Sequence, residues 1–77
     1  MPCRVGITTR PNERRLEWER EVVGLSDWKI LETYFSKQAA QDHEDRVAAS
    51  HGCHASHGGA DVGGLWYVYH FCYVRIR

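Results

Sequence analysis

The segment LWYVYHFCYVRIR, residues 65–77, carries the strongest strand signal in the chain. Aromatic and β-branched residues fill most of it, and these suit a pleated surface. Side chains alternate across a strand. Leu65, Tyr67, Tyr69, Phe71 and Tyr73 therefore share one face, and Trp66, Val68, His70, Cys72 and Val74 share the other. Fully extended, a segment of this length spans about 43 Å, roughly twice a usual strand. Some of it must project, bend or pair with another chain.

Upstream, CRVGITT (residues 3–9) alternates Cys3, Val5 and Ile7 against Arg4, Gly6 and Thr8, which reads as a first strand. Pro11 suits the first turn of a helix, where its missing N–H costs nothing. That helix is expected from about Pro11 to Val23, with Gly24 as its end. Its buried stripe would combine Leu16 and Val23 with Trp18, Val22 and Leu25. WKILETYF (residues 28–35) reads as a second strand. Ser36 is a good N-cap for KQAAQDHEDRVAASH, and Gly52 is its stop signal. The glycine-rich stretch that follows reads as a loop. The expected fold is α+β in a single domain over residues 1–77. Its elements run strand, helix, strand, helix, strand, giving a three-stranded sheet flanked by two helices.

Seventy-seven residues bury only about 60–65% of the surface an unfolded chain exposes, so the core is thin. The chain is 43% hydrophobic and 26% charged, and no apolar run is long enough to cross a bilayer. MPCRVGITTR lacks the apolar centre of a signal peptide. The cysteines are Cys3, Cys53 and Cys72. An odd count without an export signal points to free thiols and a cytoplasmic setting. Ten basic and ten acidic side chains cancel, so the overall charge does not announce a nucleic-acid partner. Arg4, Arg10, Arg14, Arg15 and Arg20 nevertheless crowd the first twenty residues.

Ala40, Glu44, Val47 and Ala48 share one face of the second helix by their spacing. Glu44 thus points toward, or to the rim of, the surface that packs on the sheet. A carboxylate there must be hydrogen-bonded, protonated, bound to a cation or led out to water. An arginine from the start of the first helix on the same sheet face would make a salt bridge with it. The alternative is a phosphodiester site, with guanidinium steadying phosphate and carboxylate holding a divalent metal.

RVGITTRPNERRL, with the later WKILETYF and SKQAAQDHEDRVAASHG, resembles the GIY-YIG nucleases. The likeness spans about residues 3–52. Arg4-Val5-Gly6 stands in the Tyr-Ile-Gly place, and the family's Gly-Ile-Tyr strand is similar to residues 64–69, moved to the C-terminus. The resemblance implies a circularly permuted sheet with the last strand antiparallel to the first. It implies Arg14 or Arg15 as the catalytic arginine, Glu44 as the ligand of Mg²⁺ or Mn²⁺, and a nucleic-acid surface including Arg4, Thr8 and Arg10. The family's tyrosines are replaced by Arg4 and Trp66, leaving Tyr67 or Tyr69 to substitute. The expected protein is a reduced, inactive relative that binds nucleic acid; if active, it is a metal-dependent endonuclease.

Two other readings compete. The long aromatic C-terminal strand, with Phe71, Tyr73, Val74 and Ile76 on an unpaired edge, suits a homodimer or protein-interaction module. SHGCHASHGGA (residues 50–60) suggests a small zinc module, with Cys53 and His57 as one ligand pair and His70 and Cys72 as the other.

Overall fold

The computed structural model describes residues 2–56 and 64–77. Their order is β1 (Cys3–Thr8), α1 (Pro11–Glu21), β2 (Val22–Val23), β3 (Ser26–Tyr34), α2 (Lys37–His51), β4 (His54–Ser56), β5 (Trp66–Cys72) and β6 (Arg75–Ile76). A four-stranded mixed sheet has the order β3-β5-β1-β4, and β2 pairs with β6 in a separate two-stranded ladder. Among the described residues the fold is α+β with two helices, and its main sheet is one strand wider than expected.

The last long strand is antiparallel to the first. Cys3 faces Cys72, and the register runs through Gly6 opposite Tyr69 to Thr8 opposite Tyr67. β3 flanks β5 on the other side, also antiparallel. The aromatic strand therefore lies inside the sheet, and its alternation serves two cores. Trp66 and Val68 join Val5 and Ile7 beneath Ala40, Val47 and Ala48 of α2. Tyr69, Phe71 and Tyr73 face Trp18 of α1, with Val22 and Trp28 beside them.

The second core is aromatic. Trp28 stacks on Tyr69 at 4.8 Å and on Phe71 at 5.7 Å, while Trp18 tilts against Phe71 at 5.1 Å. Such ring pairs add about 0.5–1.5 kcal/mol each beyond their area. The buried Trp18 indole N–H donates to the Tyr69 hydroxyl at 2.9 Å. Tyr69→Phe would strand that donor, and is expected to cost about 1–3 kcal/mol in urea unfolding. Adding Trp18→Phe should recover part of the loss in a double-mutant cycle.

Two local expectations are corrected, and a third is narrowed. α1 stops at Glu21, and Leu16 is 54% exposed, leaving Trp18 as the helix's buried residue. Charged residues occupy most of that helix, and the β-branched pair Val22–Val23 extends instead of continuing it. Of the three courses open to the long C-terminal segment (projecting, bending or pairing with another chain), it takes the second within this chain. It leaves the sheet after Cys72, where the Tyr73 N–H donates to the Pro2 carbonyl at 3.1 Å. The Val74 N–H then donates to Val23 at 2.8 Å, and Arg75–Ile76 pairs with Val22–Val23. Backbone groups expected to bind a second chain are thus used within this one. Gly24, at φ +72°, accommodates the turn, and a Cβ there would come within 2.6 Å of Val74 Cγ2. Lastly, His54–Ser56, read as loop, forms an edge strand parallel to β1.

The second helix agrees with its sequence. The Ser36 hydroxyl accepts from the Ala39 N–H at 3.3 Å, and Gly52 closes the helix in the left-handed region at φ +65°.

Candidate functional site

The end of β1 and the start of α1 build the first candidate site. Thr8 closes the strand, and its hydroxyl accepts from the Arg10 N–H at 3.0 Å. This bond bends the chain so that Pro11 can open the helix, whose first backbone bond runs from the Arg14 N–H to the Arg10 carbonyl at 3.0 Å. Thr8, Thr9, Arg10, Glu13, Arg14 and Glu17 line the resulting polar notch of about 190 Å³.

The arginines here are engaged with neighbouring carboxylates. Arg10 pairs with Glu13 at 3.3 Å, Arg14 with Glu17 at 3.8 Å, and Arg15 with Glu19 at 3.3 Å. All three pairs are solvent-accessible, and such pairs are worth at most about 1 kcal/mol. Arg4 lies elsewhere, with its guanidinium 5.0 Å from the centre of the Trp18 ring. Tyr67 is half-buried on β5, opposite Thr8 in the register.

Glu44 is at the opposite side of the sheet. Its side chain is fully buried, on the α2 face with Ala40. Burial, reinforced by the Asp45 charge, raises its carboxyl from 4.5 to about 7. Arg14 and Arg15 belong to α1, whose Trp18 packs on the Tyr69 face. The sheet therefore stands between the glutamate and the two arginines, and no common face joins them. The Tyr69 phenol feels both sides. Burial raises it, while the Trp18 hydrogen bond and the Arg14 charge lower it; Glu44 raises it and Arg4 lowers it.

A second cluster forms where β1 begins and α2 ends. The expectation of free thiols is corrected here: Cys3 and Cys53 form a disulfide across 50 residues, with Cα atoms 4.8 Å apart. Cys3 points to the α2 face with Val5 and Ile7. The turn at Gly52 then drops Cys53 onto the same corner, and β4 continues alongside β1. His70 reaches this corner from β5. One ring nitrogen and the two sulfurs all lie within 4.8 Å of one another. Burial lowers the His70 imidazole, as do His51 and Lys29, against a smaller opposing pull from Asp27. The His51 ring is 6.4 Å from it.

Cys72 is the free cysteine and stands opposite Cys3 in the β1–β5 register. Of the four expected zinc ligands, Cys53 and His70 thus meet, Cys72 shares their sheet face, and His57 lies outside the described residues. Cys3 was missed as a member of this cluster. Its alternation with Val5 and Ile7 already put it on the helix-covered face, but nothing in the sequence announced that β4 would run beside β1.

In comparisons with known proteins, no family, no curated sequence and no solved structure matches this chain.

Proposed function

We propose that this protein is a non-catalytic nucleic-acid-binding module on a scaffold resembling the GIY-YIG nucleases. The notch at the start of α1 would receive the phosphodiester backbone. The observation that carries the reading is the convergence of Thr8, Thr9, Arg10 and Arg14 in one exposed notch. Glu13 and Glu17 also stand there, paired with the arginines, and would have to yield to a phosphate. Guanidinium groups suit phosphate oxygens, hydroxyls add hydrogen bonds, and the helix N-terminus favours negative charge. Glu44 is buried against the opposite face of the sheet from the notch. Catalysis through a Mg²⁺ or Mn²⁺ ion on Glu44 is therefore no part of the reading.

Such contacts position a backbone without reading its sequence. With two arginines engaged, the binding constant should fall with salt at a log–log slope of roughly −2 on duplex DNA. The test is fluorescence anisotropy at low salt on single-stranded, duplex and branched oligonucleotides, comparing wild type with Arg10→Ala and Arg14→Ala. Each variant is expected to weaken binding several-fold and to reduce the slope by about 1. No product should form with Mg²⁺ or Mn²⁺. Wild-type anisotropy that stays at the free-probe value would end the proposal, and cleavage abolished by Glu44→Gln would replace it with a nuclease. The cytoplasmic setting expected from free thiols loses that ground, because Cys3 and Cys53 are joined and persistent disulfides are rare in the cytosol.

A further inference from the structure

We propose that Cys3, Cys53 and His70 form a redox-gated zinc site, closed as a disulfide when oxidised and open to the metal when reduced. Three separate elements deliver the donors: the start of β1, the residue after the α2 stop, and the middle of β5. With Zn–S near 2.3 Å and Zn–N near 2.0–2.1 Å, donors around one tetrahedral ion stand roughly 3.5–3.8 Å apart. The two sulfurs are bonded to each other in the disulfide and part on reduction, and the His70 nitrogen lies within 4.8 Å of both. Cys53 is buried, and Cys3 and His70 are half-buried, so the corner is partly shielded while keeping an approach from solvent. Two thiolates and one imidazole are a familiar zinc donor set, and the fourth position falls to solvent. The site is independent of the α1 notch, so either proposal can fail without the other.

The chemistry balances through a dithiol reductant. Its thiolate attacks one sulfur of the Cys3–Cys53 bond, and its second thiol completes the exchange. The S–S bond breaks, two electrons and two protons pass to the protein sulfurs, and the reductant leaves as its own disulfide. Zn²⁺ then displaces the two thiol protons and binds both sulfurs together with the neutral His70 imidazole. While the disulfide persists, neither sulfur is a thiolate, so the two states exclude one another.

The experiment uses the whole chain, oxidised or reduced by a phosphine that does not compete for zinc, titrated with Co²⁺ and then Zn²⁺. The reduced protein is expected to bind one Co²⁺ with thiolate-to-metal charge transfer and tetrahedral d–d bands, and one Zn²⁺ in competition with a chromophoric chelator. The oxidised protein should bind at least about 100-fold more weakly, because both sulfur ligands are lost. His70→Ala should weaken zinc binding by at least about tenfold in the reduced protein, and Cys72→Ser should leave it unchanged. If the reduced chain loses its fold, zinc should restore the native circular dichroism and raise the melting temperature. Equal metal binding by oxidised and reduced protein would overturn the proposal. So would an unaltered affinity in His70→Ala, or metal bound without recovery of the fold.

Discussion

Cys53→Ser is expected to lower the thermal midpoint of the oxidised protein by about 10–25 °C. The bond from Cys3 closes a loop with a sequence separation of 50. Loop-closure entropy for that length is worth about 4 kcal/mol, and removal of native disulfides typically costs 2–5 kcal/mol. A domain this small has little to set against such a loss, because its thin core leaves a margin of only a few kcal/mol. Cys3→Ser should behave alike, while Cys72→Ser, which breaks no bond, should melt within about 3 °C of wild type. The readout is circular dichroism in a metal-chelating buffer, which keeps any zinc contribution out of the comparison. A Cys53→Ser protein melting with wild type would show that the bond carries no stability.

Glu44→Gln should do the opposite at alkaline pH. The folded carboxyl is raised to about 7 from an ordinary 4.5, so between those values the folded state holds a proton that the unfolded state releases. Stability from this group is greatest below about pH 4.5 and is lost as pH rises through 7, by about 3 kcal/mol in total. Glutamine has nearly the same shape and no charge to desolvate. The variant should match wild type near pH 4, exceed it by about 2–3 kcal/mol at pH 8, and give a flatter stability profile. Urea unfolding at a series of pH values reads this directly. Equal pH profiles for the two proteins would mean that Glu44 does not titrate in this way. The proposed nucleic-acid binding, if measured, should not distinguish the two, since the notch lies across the sheet.

Local patterns made much of this architecture legible. The alternation in residues 65–74 placed Trp66 and Val68 on one face and Tyr69, Phe71 and Tyr73 on the other, and two separate cores now occupy those faces. Ser36 and Gly52 marked the ends of α2, and spacing put Ala40 and Glu44 toward its packed face. For Glu44 the favoured reading was a rim position with the carboxylate led out to water, and its full burial corrects that. What was hidden depended on partners distant in the chain. Val22 and Val23 continue a plausible helix until the C-terminal residues return to pair with them. His54–Ser56 has no strand signal of its own and is extended because β1 offers an edge. The same holds for the sites. Thr8, Arg10 and Arg14 are close in sequence and meet as neighbours should, whereas Glu44 was expected beside the arginines and is cut off from them by the sheet. The Cys3–Cys53 contact could be read only from tertiary geometry, because nothing in a count of three cysteines says which two will meet.

The position of β5 bears on how the chain reaches this structure during synthesis. Among the described residues, β3 has β5 as its sheet neighbour, and β1 has β5 on one side and the three-residue β4 on the other. The central strand is thus made after both strands that depend on it. Until Trp66–Cys72 emerges, the inner faces of β1 and β3 have no sheet to join, and Trp18 and Trp28 lack the rings they pack against. Long-range pairing of this kind defers the gain in contacts until a large loop has been closed, which slows folding and makes it cooperative. The nascent chain must therefore stay dispersed while its apolar surfaces wait. The dense alternating charge of α1, which leaves that helix so poorly buried in the finished protein, suits it to keeping the waiting segment in solution.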